Sequence, residues 1–341
     1  MKQRLPGNSL VRHLVLGIGA AVLAGVLIYV VDPFPDYQLA AVGLFAIAGA
    51  GLTILIGLNG QLSLGHGALM GIGAYTTSLL VQHNPGLPAP LVMLASVGVA
   101  GLASVVVGAA AARLRGPYLA GATLALAVGL PGVTLRFSGV FGGDQGLSVP
   151  PLTAPAVLGA DFPPERWLAY ICLVAALVSF ILLANFTRSR FGRDFRAVRD
   201  DEVAAALSGI QVASTQVTAF VLSGACAGLA GSLFAYWAGI TAPAGFGLSL
   251  SLEILAAVVI GGLGSLAGAV YGAAAIVFLP QFTNGLTDLV HLPSTVKDNM
   301  PLALYGAAFV VTMLAFPNGI QGGLRLVRRR LAFRLGSSRQ S

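Results

Sequence analysis

Residues 39–66 read LAAVGLFAIAGAGLTILIGLNGQLSLGH. The first twenty, 39–58, carry no charge. At 1.5 Å rise per residue they cover about 30 Å, the thickness of a hydrocarbon core. The next eight change character, with glycines at 60 and 65 and polar side chains at Asn59, Gln61, Ser63 and His66. A membrane-spanning helix that ends in a glycine-broken polar segment is therefore the first feature to explain.

Apolar runs of the same kind recur along the chain. With the first they fall at 14–31, 39–58, 66–82, 91–112, 117–135, 167–185, 215–237, 249–262, 264–280 and 301–316. The expected fold class is all-α, a polytopic membrane helix bundle of about ten transmembrane helices. Composition agrees: of 341 residues 9% are charged and 56% apolar, and the mean hydropathy is +0.86. A soluble domain carries about 25% charge, and a disordered chain needs low hydrophobicity, so both classes are excluded.

Orientation follows from lysine and arginine. With the N-terminus placed in the cytoplasm, ten spans return the C-terminus there too. Of the 19 basic residues 16 then lie inside, leaving Arg136, Arg166 and Lys297 outside. This asymmetry accounts for the net charge of +7 without nucleic acid. The expected divisions are a cytoplasmic N-terminus (1–13), a transmembrane region (14–316) and a basic cytoplasmic tail (317–341). The transmembrane region includes an outer loop at 136–166 and an inner loop at 186–214. Cys172 and Cys226 both sit in apolar runs and are expected to be packing residues.

Glycine numbers 45 residues, about twice the usual share. Some are spaced four apart: Gly67 and Gly71, Gly224 and Gly228, and Gly264, Gly268 and Gly272. Small residues at that spacing let helices approach closely, within a subunit or across a dimer seam. Others break helices: Gly57, Gly60 and Gly65; Gly129, Pro131 and Gly132; Gly261, Gly262 and Gly264. Irregular backbone at membrane depth is tolerated only where it is buried or lines a cavity. These breaks are therefore either turns or parts of a pathway. Candidate pathway residues are Asn59, Gln61, Ser63, His66, Pro131 and the intramembrane acid Glu253. The segments 57–63 and 261–267 echo one another about five helices apart, which suggests two related halves.

The inner loop contains RSRFGRDFRAVRDDEVAAALSGI, residues 188–210. Asp200 is expected to be an N-cap, with Asp201 and Glu202 in the first turn, where acids favour the helix dipole. Val203, Ala206 and Leu207 would share one apolar face, and Gly209 would stop the helix. The basic residues ahead of it include Arg193 and Arg196. An amphipathic helix projecting from the bilayer suits a groove on a partner protein; a solvated loop beside anionic lipid is the other reading.

Several chemistries are missing. The only lysines are Lys2 and Lys297, neither in a phosphate-binding loop. No His-Glu-x-x-His, no Gly-x-Ser-x-Gly and no metal-ligand spacing of the four histidines occurs. No cofactor or metal is expected in this chain, and any ATP and Mg would be bound by another subunit. The residues thus describe a pore-forming or permease subunit without its own energy source.

The run 60–66 followed by Gly71-Ile72-Gly73-Ala74-Tyr75 resembles the branched-chain amino-acid ABC importer permeases of the LivM type. So do Gly116 to Ala120 with Thr123-Leu124, the loop 142–147, and the segment from Phe191-Gly192-Arg193 to Gly209-Ile210. The runs 227–233 and 253–265 complete the set. The resemblance adds Tyr75 and Thr123 to the pathway candidates. It implies a bacterial inner-membrane importer built from two permease chains (the second a paralogue), two ATPases and a periplasmic binding protein. It also implies that the helix around Asp200–Gly209 docks on an ATPase. Two positions depart from the family pattern. The fifth span is apolar where a polar or acidic residue is usual after Thr-Leu-Ala, and Phe141 replaces a small hydroxyl residue. A urea or short-amide importer permease is the alternative within this architecture. A self-sufficient channel or secondary carrier is the alternative outside it.

Overall fold

The structure, a computed structural model, describes residues 33–114, 116–155, 159, 162–290, 306–307, 310–311 and 319–323. The expected N-terminal segment 1–13 and first span 14–31 lie outside these residues. So do most of the tenth span and of the tail.

Helices stand at the eight intervening expected spans. Helix α1 (Pro33–Leu52) runs on into a π-helical turn, Thr53–Leu58. Then come α2 (His66–His83), α3 (Ala89–Ala111), α4 (Pro117–Arg136) and the short α5 (Ser138–Phe141). A two-residue strand β1 (Leu147–Ser148) precedes α6 (Pro164–Arg188), α7 (Arg190–Asp200) and α8 (Glu202–Leu207). Helix α9 (Val212–Ala238), strand β2 (Ile240–Thr241), α10 (Leu248–Gly261) and α11 (Leu266–Val290) follow.

Six stretches among the described residues are long and apolar enough to cross a membrane: Asp36–Leu58, Ala89–Ala111, Tyr118–Arg136, Pro164–Arg188, Val212–Ala238 and Pro243–Gly261. Helix α2 is outside that set because Thr76, Thr77, Ser78, Gln82 and His83 dilute its apolar run. The apolar part of α11, Leu266–Pro280, is too short. Expectations at two places are corrected. The fifth span is not interrupted at Pro131: α4 continues through it, and the Thr134 hydroxyl donates to the Pro131 carbonyl at 2.9 Å. The loop 136–166, in an all-α expectation, contains a strand, with β1 pairing antiparallel to β2 through Leu147 opposite Thr241 and Ser148 opposite Ile240. That ladder is a small addition to the all-α class.

Helix α9 is the centre of the bundle and packs along α3, α2 and α1. Its 27 residues reach about 40 Å. A side chain at Gly228 would bring its Cβ within 2.6 Å of the Ala100 Cβ and of the Ser96 carbonyl on α3. Hydroxyls tie α2, α3 and α9 together. Thr77 Oγ1 donates to Ser232 Oγ at 2.6 Å and shares a second hydrogen bond, 2.8 Å, with Ser96 Oγ. The spaced glycines therefore serve packing inside one subunit. In the third set Gly268 faces the Gly261 and Gly262 carbonyls, and Gly272 faces Ala257. Gly264 precedes α11 in a turn, so it is not on that helix face. Cys172 and Cys226 are free, buried and packed on Gly43 and Gly51 of α1.

The outward faces differ. Helices α3 and α6 present large aliphatic side chains, including Leu94, Leu102, Val106, Val174, Val178 and Leu182. Helix α4 instead exposes Gly121, Ala122, Ala125, Gly129 and Gly132 beside Val128 and Val133.

Candidate functional site

The break after α1 is built into the backbone hydrogen bonds. Asn59 N–H donates to the Ile54 carbonyl, Gly60 to Ile56 and Gln61 to Leu55, each at 3.1 Å. The five- and six-residue reach of the first and third bonds widens the last turn. Residues 59–65 then run without helix until His66. Side chains from other helices take up one donor just ahead of α2 and one of those left over in its first turn. Thr123 Oγ1 of α4 accepts from Leu64 N–H at 3.0 Å, and Ser251 Oγ of α10 accepts from Gly67 N–H at 3.0 Å. Gly60 sits at φ +79°, where a Cβ would be strained.

Most of this segment is buried. Asn59 is 2% exposed, Gln61 6% and Ser63 1%. Among the described residues, neither carboxamide atom of Asn59, nor Gln61 Oε1, nor Thr53 Oγ1 has a hydrogen-bond partner. Buried polar atoms are seldom left so. His66 is fully buried and bridges three helices. Its Nε2 lies 2.9 Å from the Ala48 carbonyl of α1, and its Nδ1 lies 3.4 Å from Ser223 Oγ of α9. Two turns along α2, Tyr75 packs edge-on to Phe141 and tilted against Phe246, with ring centroids 5.2 and 6.2 Å away. Pro131 is half-buried in α4, beside Leu130, which packs on Gly71. Glu253 is half-buried on α10, two residues past Ser251. The structure thus gathers Asn59, Gln61, Ser63, His66 and Thr123 at one break, and places Tyr75 and Pro131 further along α2 and α4.

The loop 186–214 is two helices, not one basic stretch and one helix. Helix α7 buries Gly192, Phe195 and Val198, with Phe195 against Phe186 at 5.4 Å. The N-cap also moves by one residue. Asp201 caps α8, its Oδ1 accepting from Val203 N–H (2.8 Å) and Ala204 N–H (3.0 Å). Asp200 ends α7 and pairs with Arg199, because Asp201 alone takes the extended backbone that a cap requires. At the other end Gly209 adopts φ +85°. Its N–H bonds the Ala206 carbonyl and that of Ile210 bonds Ala205, a Schellman closure. Between the caps Val203, Ala206 and Leu207 are exposed, Leu207 by 86%. Arg193 is exposed, and Arg196 Nη2 donates to the Thr187 carbonyl at 3.1 Å.

Sequence reasoning missed the residues that join loop and break. Arg199 Nη1 donates to the Gly57 carbonyl at 2.8 Å. Gln216 Nε2 donates to Glu202 Oε1 at 2.9 Å, tying α9 to α8. A cleft of about 670 Å³ lies between these parts, lined by Gln61, Leu62, Leu114, Leu119, Glu202 and Gln216 among others. The available signal was the spacing of Gly192, Phe195 and Val198, which puts Arg199 at the edge of the buried face of α7.

Comparison with known proteins bears on this geometry. The chain is 33% identical to the high-affinity branched-chain amino acid transport system permease protein LivM of Salmonella typhimurium. The match covers 65% of this chain and 57% of that protein. The Escherichia coli K12 LivM gives the same identity and coverage. The chain thus spans little more than half the length of these two relatives. It is also 29% identical to the autoinducer 2 import system permease protein LsrC of Escherichia coli DH10B, over 82% of this chain and 81% of that one. No solved structure matches. Residues 34–314 match the family described as Branched-chain amino acid transport system / permease component. That match takes in the helix break, the α7–α8 loop and every described membrane-spanning helix. The chain therefore belongs to this permease family and is a multi-pass inner-membrane protein.

Proposed function

We propose that the chain is the translocating subunit of an ATP-driven importer for branched-chain or related neutral amino acids. It would work with a second permease chain, two ATPases that bind ATP and Mg, and a periplasmic binding protein. The ten-span topology with both termini in the cytoplasm belongs to this reading, supported by the 16 of 19 basic residues on one side. The observation that carries it is α8: a helix closed at both ends whose apolar residues Val203, Ala206 and Leu207 face outward. Such a face suits a groove on an ATPase. No covalent chemistry is assigned to this chain. ATP binding would close the paired ATPases, the 190–209 segment would pass that motion inward, and the bundle would alternate access at the break.

The substrate reading rests on the two LivM relatives. The LsrC relatives keep autoinducer 2 as a competing cargo, and urea or a short amide is the third. Uptake of labelled leucine, urea and autoinducer 2 by the reconstituted complex separates them; leucine is expected to lead. The coupling assignment is tested with Glu202→Ala plus Leu207→Asp in that assay. We expect ATP-dependent uptake to fall by at least about tenfold, the effect of losing a well-buried apolar contact. Unchanged uptake would sink the coupling role. Gradient-driven uptake by the purified chain alone would instead favour a self-sufficient carrier.

A further inference from the structure

We propose that Arg199 is a positioning residue: it fastens helix α7 to the helix break at 57–65, so that displacement of the coupling segment displaces the break. The inference rests on the permease reading above and names the link inside it.

The contact has two parts. The guanidinium Nη1 donates to the Gly57 carbonyl at 2.8 Å. That carbonyl is free to accept because the backbone bonds from residues 59–61 go to Ile54, Ile56 and Leu55 and pass it over. The aliphatic stem lies on Gly60, where an added Cβ would come within 2.8 Å of Arg199 Cγ. The stem therefore needs a glycine there. Asp200 Oδ1 accepts from Arg199 Nε at 3.0 Å and from Nη2 at 2.8 Å, which sets the plane of the guanidinium and leaves Nη1 for the carbonyl. An arginine present only for the charge balance of an inner loop needs neither contact.

The grip extends further. Gly57 lies directly against the break at 261–264, its would-be Cβ 2.6 Å from Gly264 Cα. The two glycine turns that echo one another in sequence therefore touch, and Arg199 holds one of them. The held segment also has the marks of a two-state element. Its last turn is π-helical, a form found at functional sites. The buried amides of Asn59 and Gln61 have acceptor or donor atoms without partners among the described residues. A shifted arrangement of 57–65 that gave those atoms partners would offset the loss of present packing, and discrete switching of this kind converts a small push into a change of state.

The test uses the full complex in vesicles and reads substrate imported per ATP hydrolysed. Arg199→Met keeps the stem on Gly60 and removes the donors; Arg199→Lys restores one donor. For the methionine variant we expect ATP hydrolysis to continue while import per ATP falls about tenfold, the effect of one charge-assisted hydrogen bond. The lysine variant should recover at least half of that loss. A purely structural role would lower uptake and hydrolysis together. An unchanged ratio in Arg199→Met, with or without reduced activity, therefore overturns the proposal. Amide hydrogen exchange of residues 53–65 in the purified full-length chain is the second measurement. Faster exchange in Arg199→Met, restored in Arg199→Lys, supports the contact, and equal exchange in all three overturns it even if a variant fails to assemble. If the wild-type complex shows no ATP-driven uptake, the permease reading fails instead, and the exchange experiment still decides the contact.

Discussion

At Leu64 one hydrogen bond holds a broken helix to its neighbour. Thr123 Oγ1 accepts from the Leu64 amide at 3.0 Å, and Thr123 is fully buried. Thr123→Val keeps shape and removes the acceptor, leaving a partly buried N–H unpaired at a cost of about 1 kcal/mol. The purified chain should melt several degrees lower, whereas Thr123→Ser should melt close to wild type; equal melting of the valine variant would show the bond to be dispensable. Asp201 is the second residue whose effect can be isolated. Asp201→Ala deletes the cap and should destabilise α8 by about 1 kcal/mol. Hydrogen exchange at Val203 and Ala204 should speed up, while Asp200→Ala should leave those two amides unchanged. The second comparison checks the one-residue correction of the cap: the sequence reading places it at Asp200, and the extended backbone at 201 moves it to Asp201.

Among the helices, α9 shows what the glycine excess does. Its contact with α3 is close because Gly224 and Gly228 oppose Ser104, Ala100 and Ser96. Without a hydrophobic driving force between helices in lipid, that closeness and the Thr77–Ser232–Ser96 hydroxyl group hold the bundle. Gly228→Ala forces a Cβ into 2.6 Å contacts and should cost about 1–3 kcal/mol by overpacking. Gly129→Ala meets nothing within 4 Å among the described residues and should be neutral or stabilising by up to about 1 kcal/mol from helix propensity. Thermal unfolding of the two variants in detergent checks the pair, and equal shifts would refute the packing assignment. Helix α2 shows the converse. Its polar side chains weaken its apolar signal, yet Thr77 and Ser78 are fully buried and bonded to neighbours.

Over the whole molecule the exposed α8 face, the Arg199 contact and the buried break form one line from the loop surface to the helix interior. That line was only partly legible beforehand. The stretch 39–66 determined a spanning helix followed by a break, because a long uncharged run has no favourable place in water and glycines at 60 and 65 end a helix. The same reasoning located the helices at the seven other described spans and a capped amphipathic helix between two of them, but not α5 or α7. These are local properties: hydropathy, backbone freedom and capping act within a few residues of chain. What lay beyond reach were relations between distant segments. No spacing rule links Arg199 to Gly57, 142 residues away, or Thr123 to Leu64. Nor does any rule say that the glycines at 264, 268 and 272 divide into a turn and a helix face. Only the tertiary structure decided these, because which carbonyl is left unpaired, and which side chain can reach it, depends on how the helices pack and not on the sequence around either partner.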